Sequence, residues 1–195
     1  MPFLEDVPGA TPIGDISDLV PSHITTRSEL NEWEAANILK AVRKYLGEKQ
    51  DINIDIPWLK RVHKDMFDES WKWAGKFRQK NLSLGIEWHN INNEMKRLVD
   101  DIAYWKQAKT LNIFEQSVRI HHRLVQIHPF VNGNGRHARL ISDIFLFNNG
   151  SPLPKWPNNE LIERSDVRNK YIAALKDADR GMYTTLEKFT AELMN

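Results

Sequence analysis

An all-α bundle with one small β element is the fold this sequence predicts, and three observations carry the prediction. Apolar residues recur at helical spacing through most of the chain after Thr26. Capping residues and glycines bracket the resulting windows. One stretch breaks the texture: KFRQKNLSLGIEWHN at 76–90, where Gly85 sits between Leu82/Leu84 and Ile86/Trp88. At 195 residues one domain is expected, over 26–195, preceded by an arm at 1–25.

The arm holds Pro2, Pro8, Gly9, Pro12, Gly14 and Pro21, a density of breakers that predicts irregular backbone. Phe3, Leu4, Ile13, Ile16, Leu19 and Val20 suffice to pin it to the body. A first helix is predicted over 26–47. Thr26-Arg27-Ser28-Glu29 fits a capping box, and Gly47 supplies a stop. Leu30, Trp33, Ala36, Ile38, Leu39 and Val42 are read as its apolar face. Pro57 opens a second helix, with Trp58, Leu59, Val62 and Met66 or Phe67 as its buried stripe. The 76–90 stretch reads as a β-hairpin or extended flap leaning on the helices, because an isolated hairpin is marginal. Asn90 to Asn93 caps a third helix bearing Met95, Leu98, Ile102 and Trp105, and Asn112 to Ile127 forms a fourth. A fifth ends at Asn148-Asn149-Gly150. It is apolar on nearly all sides, the mark of a helix at the bundle's centre. After a Pro-rich connection at 151–159, two last helices fit Asp166 to Asp179 and Tyr183 to Met194.

Composition narrows the function. The formal net charge is +1, so nucleic acid and membrane surfaces are not expected partners. There is no cysteine, which excludes disulfides and thiolate metal sites. The first residues, MPFLEDVPGATPIGD, lack the apolar core of a signal peptide. No apolar run approaches the roughly 20 residues of a membrane span. A soluble, cytoplasmic protein is the expectation.

The chemistry concentrates at 128–139, HPFVNGNGRHAR. Gly133 and Gly135 permit a turn whose successive N–H groups form an anion nest, and the following helix adds its positive end. Arg136 and Arg139 lie three apart, on one face of the first helical turn. Cations there oppose the helix dipole by a few tenths to ~1 kcal/mol each, a cost that a bound anion offsets. A polyphosphate suits the arrangement best. His128, at an ordinary pKa of ~6.5, suits a general base. Pro129 is expected to push His128 into extended backbone. Phe130 reads as a core anchor. His121 and His122 do not share a helical face with His128 in a zinc pattern, so packing or surface roles are expected for them. Most of the seven tryptophans sit among Leu and Ile and read as core.

HPFVNGNGRHAR resembles the signature of the Fic family, His-x-Phe-x-Asp/Glu-Gly-Asn-Gly-Arg-x-x-Arg. Trp73-Ala74-Gly75-Lys76-Phe77-Arg78 is similar to the family's entry to its flap. Residues 168–186, with Tyr171, Ala174, Leu175, Asp179 and Tyr183, resemble its C-terminal helices. The stretch Ile24 to Ile38 is similar to the N-terminal helix of a stand-alone, mobile-element-associated subset. The resemblance implies a Fic-type helical bundle and a protein adenylyltransferase. ATP would be the substrate, Mg²⁺ the cofactor, and a protein Ser, Thr or Tyr hydroxyl the acceptor, self-modification included. His128 would take the hydroxyl proton. Gly133, Asn134 and Gly135 would hold the α- and β-phosphates, Arg136 the phosphate tail and Arg139 the γ-phosphate. The flap at 80–90 would hold the target segment by strand-like backbone bonding. Asn132 stands where the family carries its acidic Mg²⁺ ligand, and an Asn carbonyl coordinates without charge. An alternative therefore stays open: a nucleotide-binding regulatory module with weak catalysis, or transfer of a different nucleotide or phosphate moiety. The resemblance also implies an inhibitory helix at 26–47. There Ser28 and Glu32 match a Ser/Thr-x-x-x-Glu pattern whose Glu pairs with the second motif arginine, which makes Glu32 the regulatory candidate.

Overall fold

A computed structural model describes residues 16–157, Leu161 and 165–194. The expected arm therefore lies outside the described residues up to position 15. Seven α-helices are described: α1 (Arg27–Leu46), α2 (Ile56–Phe67), α3 (Ile91–Ala108), α4 (Ile113–Ile127), α5 (Asn134–Asn148), α6 (Asp166–Asp179) and α7 (Thr184–Glu192). The expected all-α fold is what forms.

The starts follow from the caps. Thr26 takes the Glu29 N–H while the Glu29 carboxylate takes the Thr26 N–H, the reciprocal pair expected at α1. Asn112 and Glu115 do the same for α4, and Asp55 caps α2 through the Trp58 N–H. α5 is buried along most of its length, from Asn134 through Leu146, and packs against α4, α1 and α2. The interior holds two apolar clusters. One joins α1–α5 around Phe67, Met95, Leu124 and Ile141. The other gathers Val118, Leu161, Tyr171, Ala174 and Leu186.

Two expectations need correction. The buried face of α1 is not the most apolar one. Trp33 and Leu39 are exposed, and the buried stripe is Leu30, Glu34, Asn37, Ala41 and Tyr45. Polar partners on α2 and just beyond set this rotation. Asn37 bonds the Asp65 carbonyl and the Glu69 N–H, and the Tyr45 hydroxyl donates to Asp65.

The second correction is the hairpin. Among the described residues, extended pairing amounts to two isolated bridges, Leu19 with Trp71 and Phe77 with Phe130. The 76–90 segment is an extended loop that ends in a 3-10 turn at Trp88–Asn90. A side chain does the work of a ladder there. Arg78, buried, donates from Nε to the His128 carbonyl (2.7 Å), from Nη1 to Lys80 (2.8 Å) and from Nη2 to Ile86. Carbonyls thus satisfied across the loop need no facing strand.

Candidate active site

The motif spans the junction of α4 and α5. His128 is the C-cap of α4, in left-handed backbone (φ 53°, ψ 58°), with its N–H still bonded to the Leu124 carbonyl. This corrects the expected extended conformation. Pro129 disfavours only the right-handed helical region, and a left-handed residue closes the helix just as well. The ring is buried, and its Nδ1 lies 3.4 Å from the Val125 carbonyl. Burial, with a smaller contribution from the Arg78 charge, lowers its pKa to about 4. His128 is therefore a neutral imidazole at pH 7, able to accept a proton. Gly85 rests against it so closely that a Cβ there would lie 2.4 Å from the His128 Cβ.

The turn is held from below. Phe130 is fully buried, as expected of an anchor, and Asn134 clamps both sides of its backbone. The Phe130 N–H donates to Asn134 Oδ1 and Asn134 Nδ2 donates to the Phe130 carbonyl, each at 2.9 Å. The Asn134 side chain is thus bonded to the loop itself. Gly133, left-handed at φ 77°, is the N-cap of α5 and brings no capping side chain. The first-turn N–H groups of α5 lack intrahelical acceptors by construction, the arrangement that suits an anion. A Cβ on Gly133 would strike the Phe67 ring at 2.5 Å, so glycine is required for both backbone and space.

The two arginines have different surroundings. Arg136 donates from Nη1 to Glu34 Oε2 at 2.5 Å and lies over the Phe67 ring. The other Glu34 oxygen accepts the Trp71 indole N–H at 2.6 Å. Glu32 is exposed. The carboxylate at the motif is therefore Glu34, and its partner is the first motif arginine rather than the second. Arg139 is buried one turn under Gly135, whose Cβ would stand 3.7 Å from Arg139 Nη1. Its neighbours are Trp156, Asp143 and Tyr171, whose hydroxyl bonds the guanidinium. Asp143 accepts the Trp156 indole N–H, and burial raises its carboxyl to about 7. His121 and His122 are packed as expected, against the Tyr171 hydroxyl (2.7 Å) and Asp179 (2.9 Å).

Asn132 does not fit a protein-held Mg²⁺. Its Oδ1, the one side-chain atom able to coordinate, accepts the Gly133 N–H at 2.6 Å. It carries no charge, whereas Mg²⁺ sites use carboxylates alongside phosphates. Among the described residues no group of three or more His, Cys, Asp or Glu converges. No described helix is long and apolar enough to cross a membrane.

Sequence reasoning passed over His63, Trp71, Asp143 and Trp156. His63 had a signal, a titratable side chain within the apolar stripe of α2. Trp71 and Trp156 had none, because their indole donors find partners only through tertiary contact.

Residues 53–146 match the model of the Fic/DOC family. Protein adenylyltransferase Fic of Drosophila yakuba is 29% identical over 161 residues, which cover 79% of this chain and 30% of the relative. The Drosophila melanogaster protein of that name gives the same figures. The chain thus spans about three-tenths of the length of these relatives. Among solved structures, a fragment of Fic-1 from C. elegans superposes with a TM-score of 0.71 at 22% identity, covering 90% of this chain and 51% of that one. BepC of Bartonella tribocorum, with bound AMPPNP, superposes with a TM-score of 0.67 at 17% identity, covering 88% and 89%. The fold and the motif agree with the match of residues 53–146 to the Fic/DOC family model.

Proposed function

We propose that this chain transfers AMP from ATP to a protein hydroxyl and that Glu34 restrains it. The observation that carries the reading is the placement of a neutral, buried His128 beside a glycine-capped helix start with Arg139 buried one turn below it. In this reading the N–H groups of Asn134 and Gly135, and that of Gly133 once it leaves Asn132 Oδ1, take the α- and β-phosphates and Arg139 takes the γ-phosphate. Arg136 takes the phosphate tail once Glu34 lets go. His128 accepts the proton of the target hydroxyl as that oxygen attacks the α-phosphorus. A phosphorus–oxygen bond forms to the target, the bond to the β-phosphate oxygen breaks, and pyrophosphate departs. Such chemistry asks mainly for positioning and charge stabilisation. No step is assigned to Mg²⁺, because the donor set does not fit it. The target segment lies along 80–90, where Gly85 brings the backbone against His128.

The test uses ATP labelled at the α- or the γ-phosphate. Label from the α-position alone should reach protein, on a lysate target or on the chain itself, and His128→Ala should abolish it. Label from the γ-position, or transfer that survives His128→Ala, contradicts the reading. A second reading is favoured by the Glu34–Arg136 pair and the uncharged Asn132: a nucleotide-binding module with weak catalysis. ATP binding by calorimetry, with no transfer even in Glu34→Gln, would select it.

A further inference from the structure

His63 is a titratable side chain that the transfer chemistry does not use. It sits on α2 with no exposed surface, and two separate segments meet on its ring. The Gly75 N–H donates to Nδ1 at 3.0 Å, and Nε2 lies 3.0 Å from the Asn132 carbonyl. A backbone N–H only donates, so Nδ1 is the unprotonated nitrogen and Nε2–H donates to Asn132. The ring is neutral, in one tautomer, and burial holds its pKa well below the usual histidine range. Its faces are equally constrained. Phe130 stacks at 3.6 Å between centroids with a 12° inclination, Phe67 lies at 4.9 Å, and His137 meets it edge-on at 5.5 Å.

The carbonyl it holds belongs to the peptide that ends in the Gly133 nitrogen. A trans peptide is planar, with its C=O and N–H pointing opposite ways. Fixing the Asn132 oxygen on His63 therefore aims the Gly133 N–H away from α2, to the side where Asn132 Oδ1 meets it. Gly75 opens the segment leading to Arg78, which holds the carbonyls of His128 and Ile86. One imidazole thus joins the turn to the root of the 76–90 loop.

We propose that His63 is a positioning residue: its Nε2–H sets the orientation of the Asn132–Gly133 peptide, and its Nδ1 ties that peptide to the Gly75 entrance of the loop. The consequence for nucleotide rests on the function proposed above. Outer hydrogen bonds that orient a binding group have such effects elsewhere, as with the partners of metal-ligating histidines.

Two substitutions separate the two contacts. In His63→Gln the amide nitrogen stands where Nε2 stood and keeps the donor to Asn132. In His63→Asn the oxygen stands where Nδ1 stood and keeps only the Gly75 acceptor. Both lose the stacked ring, so both should lower the melting temperature to a similar degree. Calorimetric ATP affinity should stay near the wild-type value in His63→Gln and fall roughly tenfold in His63→Asn, as expected when a buried carbonyl loses its donor. Equal losses in the two variants, or tighter binding by His63→Asn, overturn the proposal. The wild-type chain supplies a readout free of folding defects and of ATP. Imidazole nitrogen spectra should show His63 as a neutral ring protonated at Nε2, and a ring protonated at Nδ1 or at both nitrogens overturns it. If the wild-type chain binds no ATP while the spectra show the expected tautomer, the functional reading fails and the positioning role stands.

Discussion

Arg136 and Arg139 stand three residues apart on one helix, yet the chain treats them in opposite ways. Arg136 is matched by a carboxylate of its own chain, Glu34, which the Trp71 indole holds in place. Arg139 is enclosed by Trp156, Tyr171 and an Asp143 whose carboxyl burial raises to about 7. Burial pushes the Arg139 guanidinium down from the ordinary range, but a guanidinium stays charged at neutral pH. Arg139 is thus a preorganised cation, while Arg136 is a cation already neutralised. The difference teaches where a restraint can act. A ligand meets Arg139 ready and has to compete with Glu34 for Arg136.

The largest expected effect breaks the ready half. Arg139→Ala should lower ATP affinity and transfer on the order of a hundredfold, as loss of a preorganised charge does. Arg139→Lys should recover only part of this, since a point charge does not replace the planar fork. Glu34→Gln acts on the restrained half. It keeps an acceptor for Trp71 but removes the charge opposite Arg136, and transfer should rise roughly tenfold, within the usual range of coupling free energies. A fall in transfer would mean that Glu34 supports the site. Asn132→Asp comes next. A carboxylate there should make transfer rise more steeply with added Mg²⁺ than in the wild type, read from rates across a Mg²⁺ titration.

Acid stability is a smaller and more diffuse consequence. His63, His121, His128 and His137 all have folded-state pKa values below 6.5 because they are buried. Between pH 6.5 and about 4 the unfolded chain binds these protons and the folded chain does not, so stability is lost as pH falls through that window. Asp143, raised to about 7, works in the opposite direction, but it is one group against these four and His122, which burial also lowers. The melting temperature should fall from pH 7 to pH 5, and His137→Gln should flatten the slope. The smallest expected effect is that of Glu32→Gln. An exposed change of this kind should leave both transfer and melting temperature near the wild-type values.

Much of this was legible in the sequence. The capping pair Thr26/Glu29 located the start of α1, and the all-round apolar run after Arg139 marked α5 as central. The motif located the turn, its glycines and both arginines. What escaped depended on polar contacts between distant segments. The rotation of α1 follows Asn37, Tyr45 and Glu34, whose partners lie on α2 and at Trp71 and Arg136. Hydrophobic periodicity weighs Trp33 and Leu39 instead, and the Ser28-to-Glu32 spacing pointed to Glu32. The hairpin reading of 76–90 saw the alternation but not Arg78, whose guanidinium takes the bonds a second strand would have made.

The central claim is an AMP-transfer site restrained by Glu34, and one comparison tests it most directly. Glu34→Gln and the double variant Glu34→Gln/His128→Ala are each incubated with α-labelled ATP, beside the wild type. The account predicts more protein-bound label than wild type in the first and none in the second. Equal label in the two variants, or no label in Glu34→Gln, would contradict it.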